Sequence, residues 1–241
     1  MRTITVFIAL LVALTGIPAT YAEEKKWSDE AELSLVDTGG NTDLLSISAN
    51  NLLQYTFDEN LMGTWKLSAL YGESDGVRNA ESYSTEVRLD YLFTDQLYTA
   101  GIAGWLKDEF AGIEARYYVG PALGYKLFTG PRHFLLGEVG LSYVTEKYID
   151  STDEQFIEGR AFVKYKYAFT EKNKFSQSLE YLYNFDDSDD YKVNAETALI
   201  SSLSDYLSLK ASYEIKHDNK PAPQTLEETD TVLSLALIVN F

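Results

Sequence analysis

The chain has 241 residues with 37 acids against 20 bases, and its net charge of -17 excludes nucleic-acid recognition by bulk charge. At 45% hydrophobic and 14% aromatic residues it is too apolar for a disordered chain, and with no cysteine it has neither a disulfide framework nor a lipoprotein anchor. A strongly acidic fold must therefore place 18 tyrosines and 12 phenylalanines.

Residues 1–22 have the three-part layout of a secretory signal peptide. Met1 and Arg2 are a short positive start, ITVFIALLVALTGI is uncharged and apolar, and Pro18 precedes the small-residue exit Ala19-Thr20-Tyr21-Ala22. The apolar stretch is shorter than the roughly 20 residues needed to span a bilayer, so cleavage after Ala22 is expected. Residues 23–241 are then one domain.

From residue 28 onward apolar and polar side chains alternate with period two, and helical spacing is nowhere sustained, so the domain reads as all-β. In TWKLSALY, Trp65, Leu67, Ala69 and Tyr71 oppose Lys66 and Ser68. In YSTEVRLDYLF, Val87, Leu89 and Tyr91 oppose Glu86, Arg88 and Asp90. In IEARYYVGPALGYKLF, Tyr117, Val119, Leu123 and Tyr125 oppose Glu114, Arg116, Tyr118 and Lys126, and in FIEGRAFVKYKYAF, Ile157, Val163 and Tyr165 oppose Glu158, Arg160, Lys164 and Lys166. The chain closes on TDTVLSLALIVNF, with Leu233, Leu235, Leu237, Val239 and Phe241 on one face.

Short turns separate these runs at Phe57-DEN-Leu61, Phe93-TDQ-Leu97, Phe128-TGPR-His133, Phe169-TEKN-Lys174 and Leu203-SDY-Leu207. Longer polar interruptions fall between them at 38–42, 74–80, 108–112, 148–154, 186–190 and 217–228. Five short turns and six long loops predict twelve strands. The runs are about 10 to 14 residues long, beyond the usual 5 to 6 of soluble sheets. Charges of both signs sit in mid-strand, and aromatics cluster near the short turns. A soluble sandwich would turn the charges outward and pack the apolar faces together. A transmembrane antiparallel up-and-down β-barrel turns the apolar face to lipid, places aromatics at the interfaces and encloses a wet interior. That pattern predicts a porin-like barrel in the outer membrane of a Gram-negative cell, with both chain ends on the periplasmic side and lipid and lipopolysaccharide around it.

The expected lumen-lining residues are Glu86, Arg88, Glu114, Arg116, Lys126, Glu158, Arg160, Lys164 and Lys166; the same alternation adds Glu138, Glu180, Lys107, Lys192 and Lys210. Twelve strands about 4.7 Å apart and tilted near 40° enclose a cylinder roughly 24 Å across, which side chains narrow to about 10 Å. Two readings stay open: paired charges closing a structural cylinder, or a narrow path for small solutes or ions. A third is a surface-binding barrel whose acidic loops, DDSDD and YIDSTDE, collect divalent cations, although neither has calcium-loop spacing.

Catalysis is not expected. His133 stands beside a short turn and His217 at the start of the longest loop, and neither has a serine two residues away, as an outer-membrane phospholipase would require. No cofactor or catalytic set is assigned, and a monomer is expected.

WSDEAELSLVDTGGNTDLLSISANNLL, YVGPALGYKLF, GLSYVTEKY and the terminal TDTVLSLALIVNF together resemble the uncharacterised family of salt-induced outer-membrane proteins, a domain-of-unknown-function β-barrel group. The resemblance spans essentially the whole domain. It implies an outer-membrane barrel linked to salt or osmotic stress and carries over no functional residue. Phe241, ending the last strand, resembles the signal by which barrel assembly machinery recognises its clients.

Overall fold

The computed structural model describes residues 26–38, 44–149, 153–221 and 227–241, so the expected signal peptide lies outside the described residues. Twelve strands follow in order: β1 (Trp27–Thr38), β2 (Leu44–Thr56), β3 (Leu61–Ser74), β4 (Val77–Leu92), β5 (Leu97–Asp108), β6 (Ile113–Thr129), β7 (His133–Tyr148), β8 (Asp153–Ala168), β9 (Asn173–Asn184), β10 (Tyr191–Ser202), β11 (Leu207–Asp218) and β12 (Thr229–Asn240). Each pairs antiparallel with its sequence neighbours, and β12 closes on β1. The expected all-β barrel is the fold found.

Its faces are inverted relative to a soluble protein. Tyr117, Val119, Leu123, Val139 and Leu141 stand exposed on the outer wall, while Arg116, Glu138 and Glu158 are buried within. Such an outer face is stable only where apolar solvent covers it.

Four of the five short turns share one device. The first turn residue, Asp58, Thr94, Thr170 or Ser204, accepts hydrogen bonds on its side-chain oxygen from two backbone N–H groups ahead, as Asp58 does from Asn60 (2.8 Å) and Leu61 (2.9 Å). The aromatics flanking these turns pack edge to face, at 4.8 Å for Tyr55 and Phe57, 5.3 Å for Tyr91 and Phe93, and 5.0 Å for Tyr167 and Phe169. They form an aromatic belt at the end where β1 begins and β12 finishes, the terminal end of the barrel.

At the opposite, loop end one expectation fails. Residues 74–80 are not a long loop, because β3 and β4 run on to a two-residue turn at Asp75 (φ 52°) and Gly76 (φ 77°). Both central residues take positive φ, which Asp-Gly favours and which matches the twist of the strands. Short and long connections therefore do not alternate strictly.

The closing seam is the shortest ladder. β1 meets β12 only from Glu30 opposite Asn240 to Ser34 opposite Ala236, whereas β1 and β2 pair from Trp27 opposite Tyr55 to Thr38 opposite Leu44. Phe241 extends the seam by donating its N–H to the Asp29 carbonyl at 2.9 Å.

Candidate functional site

The inward face is where charged side chains converge. Glu138, in the middle of β7, is the hub. Its carboxylate accepts from Arg88 Nη1 at 3.1 Å and Nη2 at 2.6 Å, from the Tyr98 hydroxyl at 3.0 Å, and from Arg160. Arg88 also donates to Asp90 through Nε at 2.9 Å, and Arg160 donates through Nε to Glu180 at 2.6 Å. Asn194 then donates to Glu180 at 3.0 Å. The chain of bonds crosses from β4 to β7 and continues through β8 and β9 to β10. It forms a belt at mid-height in which the Glu138 side chain is only 1% exposed.

What lets β4 reach β7 is the smallness of the strands between. Ala100, Ile102 and Gly104 of β5 and Gly120, Ala122 and Gly124 of β6 face inward in register. Tyr98 lies flat over Gly124, where an added Cβ would come within 2.1 Å of its ring, and Tyr118 lies over Gly104 at 2.2 Å. Each glycine vacates the space its cross-strand tyrosine fills, which aims the hydroxyls of Tyr98 at Glu138 and of Tyr118 at Glu86 (2.9 Å).

A second cluster lies nearer the loop end. Arg116 donates to Glu146 at 3.1 Å and to Glu158, and Lys192 reaches Glu146 at 3.3 Å and Asp218 at 3.4 Å. Glu146 is 0% exposed, and Val144, Phe156 and Tyr148 are buried around it. A third group fastens the seam. Lys210 of β11 joins Glu196 at 2.7 Å and reaches over Ala236 of β12 to Glu32 of β1 at 3.0 Å. Lys66 completes the set with Glu86 at 2.6 Å. Buried ions of this kind persist because each meets opposite charge and hydrogen bonds.

The expected lining residues thus separate into three groups. Glu86, Arg88, Arg116, Glu158 and Arg160 join the paired clusters. Lys126, Lys164 and Lys166 face inward near the terminal end without an acid partner among the described residues. Glu114 does not line the lumen wall as expected. The β6–β7 register shifts between Ile113 and Ala115, and the extra residue leaves Glu114 exposed at the rim and outside the ion pairs. Lys107, also expected inward, lies opposite Tyr83 and pairs with Glu81 and Glu109 at the outer rim.

Sequence reasoning missed Glu146 and Tyr98. Glu146 is in phase with Ser142, but Val144 between them disguises a wet face, and nothing local marks Tyr98 as a hydrogen-bond donor. The histidines sit away from these clusters: His133 Nδ1 lies 2.8 Å from the Tyr165 hydroxyl and His217 Nδ1 lies 2.9 Å from Thr229 Oγ1. No group of three or more His, Asp or Glu placed to hold a metal ion occurs among the described residues.

Residues 31–241 match the family model described as a protein of unknown function, DUF481. The chain belongs to the DUF481 family. One member-like relative, the uncharacterized protein YdiY of Escherichia coli K12, is 27% identical over 198 residues, covering 82% of this chain and 77% of that protein. Among solved structures, this DUF481 barrel resembles the COG4313 outer membrane channel of Pseudomonas putida F1 (TM-score 0.56, 11% identity, 89% of this chain and 94% of that one). It also resembles the translocator domain of the autotransporter NalP of Neisseria meningitidis (TM-score 0.55, 13% identity, 89% and 87%). At such identities the likeness concerns the fold, that of outer-membrane β-barrels.

Proposed function

We propose that this DUF481 barrel is a narrow conduit across the outer membrane for small solutes or ions, held shut at mid-height by the Arg88–Glu138–Arg160 belt, and that it serves in salt or osmotic stress. The observation that carries the reading is Glu138, an inward-facing carboxylate with 1% side-chain exposure bound by three side chains from β4, β5 and β8. A permanent scaffold would more simply fill its centre with apolar side chains, because replacing buried ion pairs by apolar groups is often neutral or stabilising. Ion pairs have a second state available, in which ions and water replace the partner.

The stress role rests on the resemblance of the strand blocks to salt-induced proteins and on screening. At about 1 M salt the Debye length falls to about 3 Å, enough to weaken partly hydrated pairs, while dry ones respond less. Ion flux from proteoliposomes, measured over increasing salt at constant osmolarity, is expected to rise steeply once the belt is screened. Flux that is absent at every salt concentration contradicts the conduit, and flux that is large at low salt contradicts the closed belt.

The acidic loops offer less to a surface-binding role. Asp187 is already tied to Lys220, and Asp190 accepts from Asn184 at 2.8 Å.

A further inference from the structure

Every inward-facing cation from the belt to the loop end has an acid within salt-bridge distance, in a chain where acids outnumber bases 37 to 20. Lys126, Lys164 and Lys166, below the belt, have none among the described residues. Inward-facing acids around the belt are committed elsewhere: Asp90 and Glu138 to Arg88, and Glu196 to Lys210.

The register brings these lysines together. Lys126 of β6 and Lys164 of β8 both stand opposite Leu136 of β7, and Lys164 and Lys166 are successive inward residues of β8. Strand spacing puts the first pair about 10 Å apart at Cα and the second about 7 Å, so three flexible ammonium groups can meet over one point. Two of the ammonium groups lie over rings, Lys126 Nζ 5.9 Å from the Tyr98 ring centre and Lys166 Nζ 5.9 Å from that of Phe134. On β9, Ser178 lies opposite Lys164 and Ser176 opposite Lys166, adding two hydroxyl donors. Lys164 is also within electrostatic reach of Lys166, Lys66 and Lys210, against the single acid Glu196. Like charges held this closely are relieved by a bound anion.

We infer that the lumen below the belt, between β6, β8 and β9, is a binding cup for a small oxyanion, a carboxylate or a phosphate, open at the terminal end. In the orientation expected of such barrels that end is periplasmic, so the cup would be loaded from inside the cell envelope. Ammonium groups and hydroxyls donate to the oxyanion, and the Tyr98, Phe134 and Leu136 surfaces accept an apolar or ring-shaped body behind it. The inference goes beyond the conduit reading and does not depend on it, because a cup can fill whether or not the belt opens.

Calorimetric titration of the refolded full barrel in detergent, with inorganic pyrophosphate in one arm and citrate in the other at fixed ionic strength set by chloride, tests it. Saturable one-to-one binding is expected in at least one arm, and the responding arm distinguishes phosphate from carboxylate chemistry. Lys164→Gln and Lys126→Gln should each weaken it at least tenfold, Lys164→Arg should largely preserve it, and Lys172→Gln, in an exposed turn, should leave it unchanged. Folding of each variant is checked by its heat-modifiable gel mobility. The proposal is overturned if neither anion binds the folded protein above the chloride background, or if the Lys164 and Lys126 variants bind as the wild type does.

Discussion

The lumen holds two regions that treat charge in opposite ways. At the belt and above it, Arg88, Arg116, Arg160 and Lys192 are each matched to carboxylates, and the hub acids Glu138 and Glu146 are almost wholly withdrawn from solvent. Below it, Lys126, Lys164 and Lys166 are half-buried or exposed and unmatched among the described residues. The same strands, β6 to β8, supply both regions. The difference therefore comes from which partner the register delivers: small residues on β5 and β6 let Arg88 span to Glu138, whereas Lys126 and Lys164 share only Leu136 between them. Matched charge is tied into the wall; unmatched charge keeps its donors free of acid partners among the described residues.

The contrast can be broken most severely at its hub. Glu138→Ala leaves two guanidinium groups short of their shared partner and is expected to cost about 3–5 kcal/mol, read from urea titrations of folding into lipid vesicles. A cost near zero would mean that water already serves these arginines and that the belt does not bind the wall together. Gly124→Val acts one step removed. Its side chain enters space held by the Tyr98 ring, and overpacking of this kind costs about 1–3 kcal/mol. The cost should shrink in a Tyr98→Ala background, and equal costs in both backgrounds would show that the ring is not what the glycine accommodates. Lys164→Gln sits at the other extreme. With no acid to orphan, it should change stability by no more than about 0.5 kcal/mol, and a loss comparable to that of Glu138→Ala would erase the distinction between belt and cup.

Much of the architecture is legible in the chain itself. Alternation in residues such as Trp65 to Tyr71 and Ile157 to Tyr167 is a local consequence of one wet and one apolar face, and the repeated Phe-Thr/Asp turns report strand ends directly. Errors arise where one residue changes the count. The bulge between Ile113 and Ala115 puts Glu114 out of phase, and Asp75-Gly76 turns the chain in two residues where polarity over 74–80 suggests a loop. The charge network is less legible still. Arg88 and Glu138 are 50 residues apart, and their meeting depends on Gly104 and Gly124 being absent volume for Tyr118 and Tyr98, a long-range fit that no single stretch displays.

Single-barrel conductance in planar bilayers, comparing the wild type with Glu138→Gln at low salt, decides whether the belt closes the lumen. The wild type should be silent or open only in brief small steps, and the variant should open more often and more widely because the belt has lost its shared charge. A wild type with a steady open conductance that Glu138→Gln does not alter would contradict it.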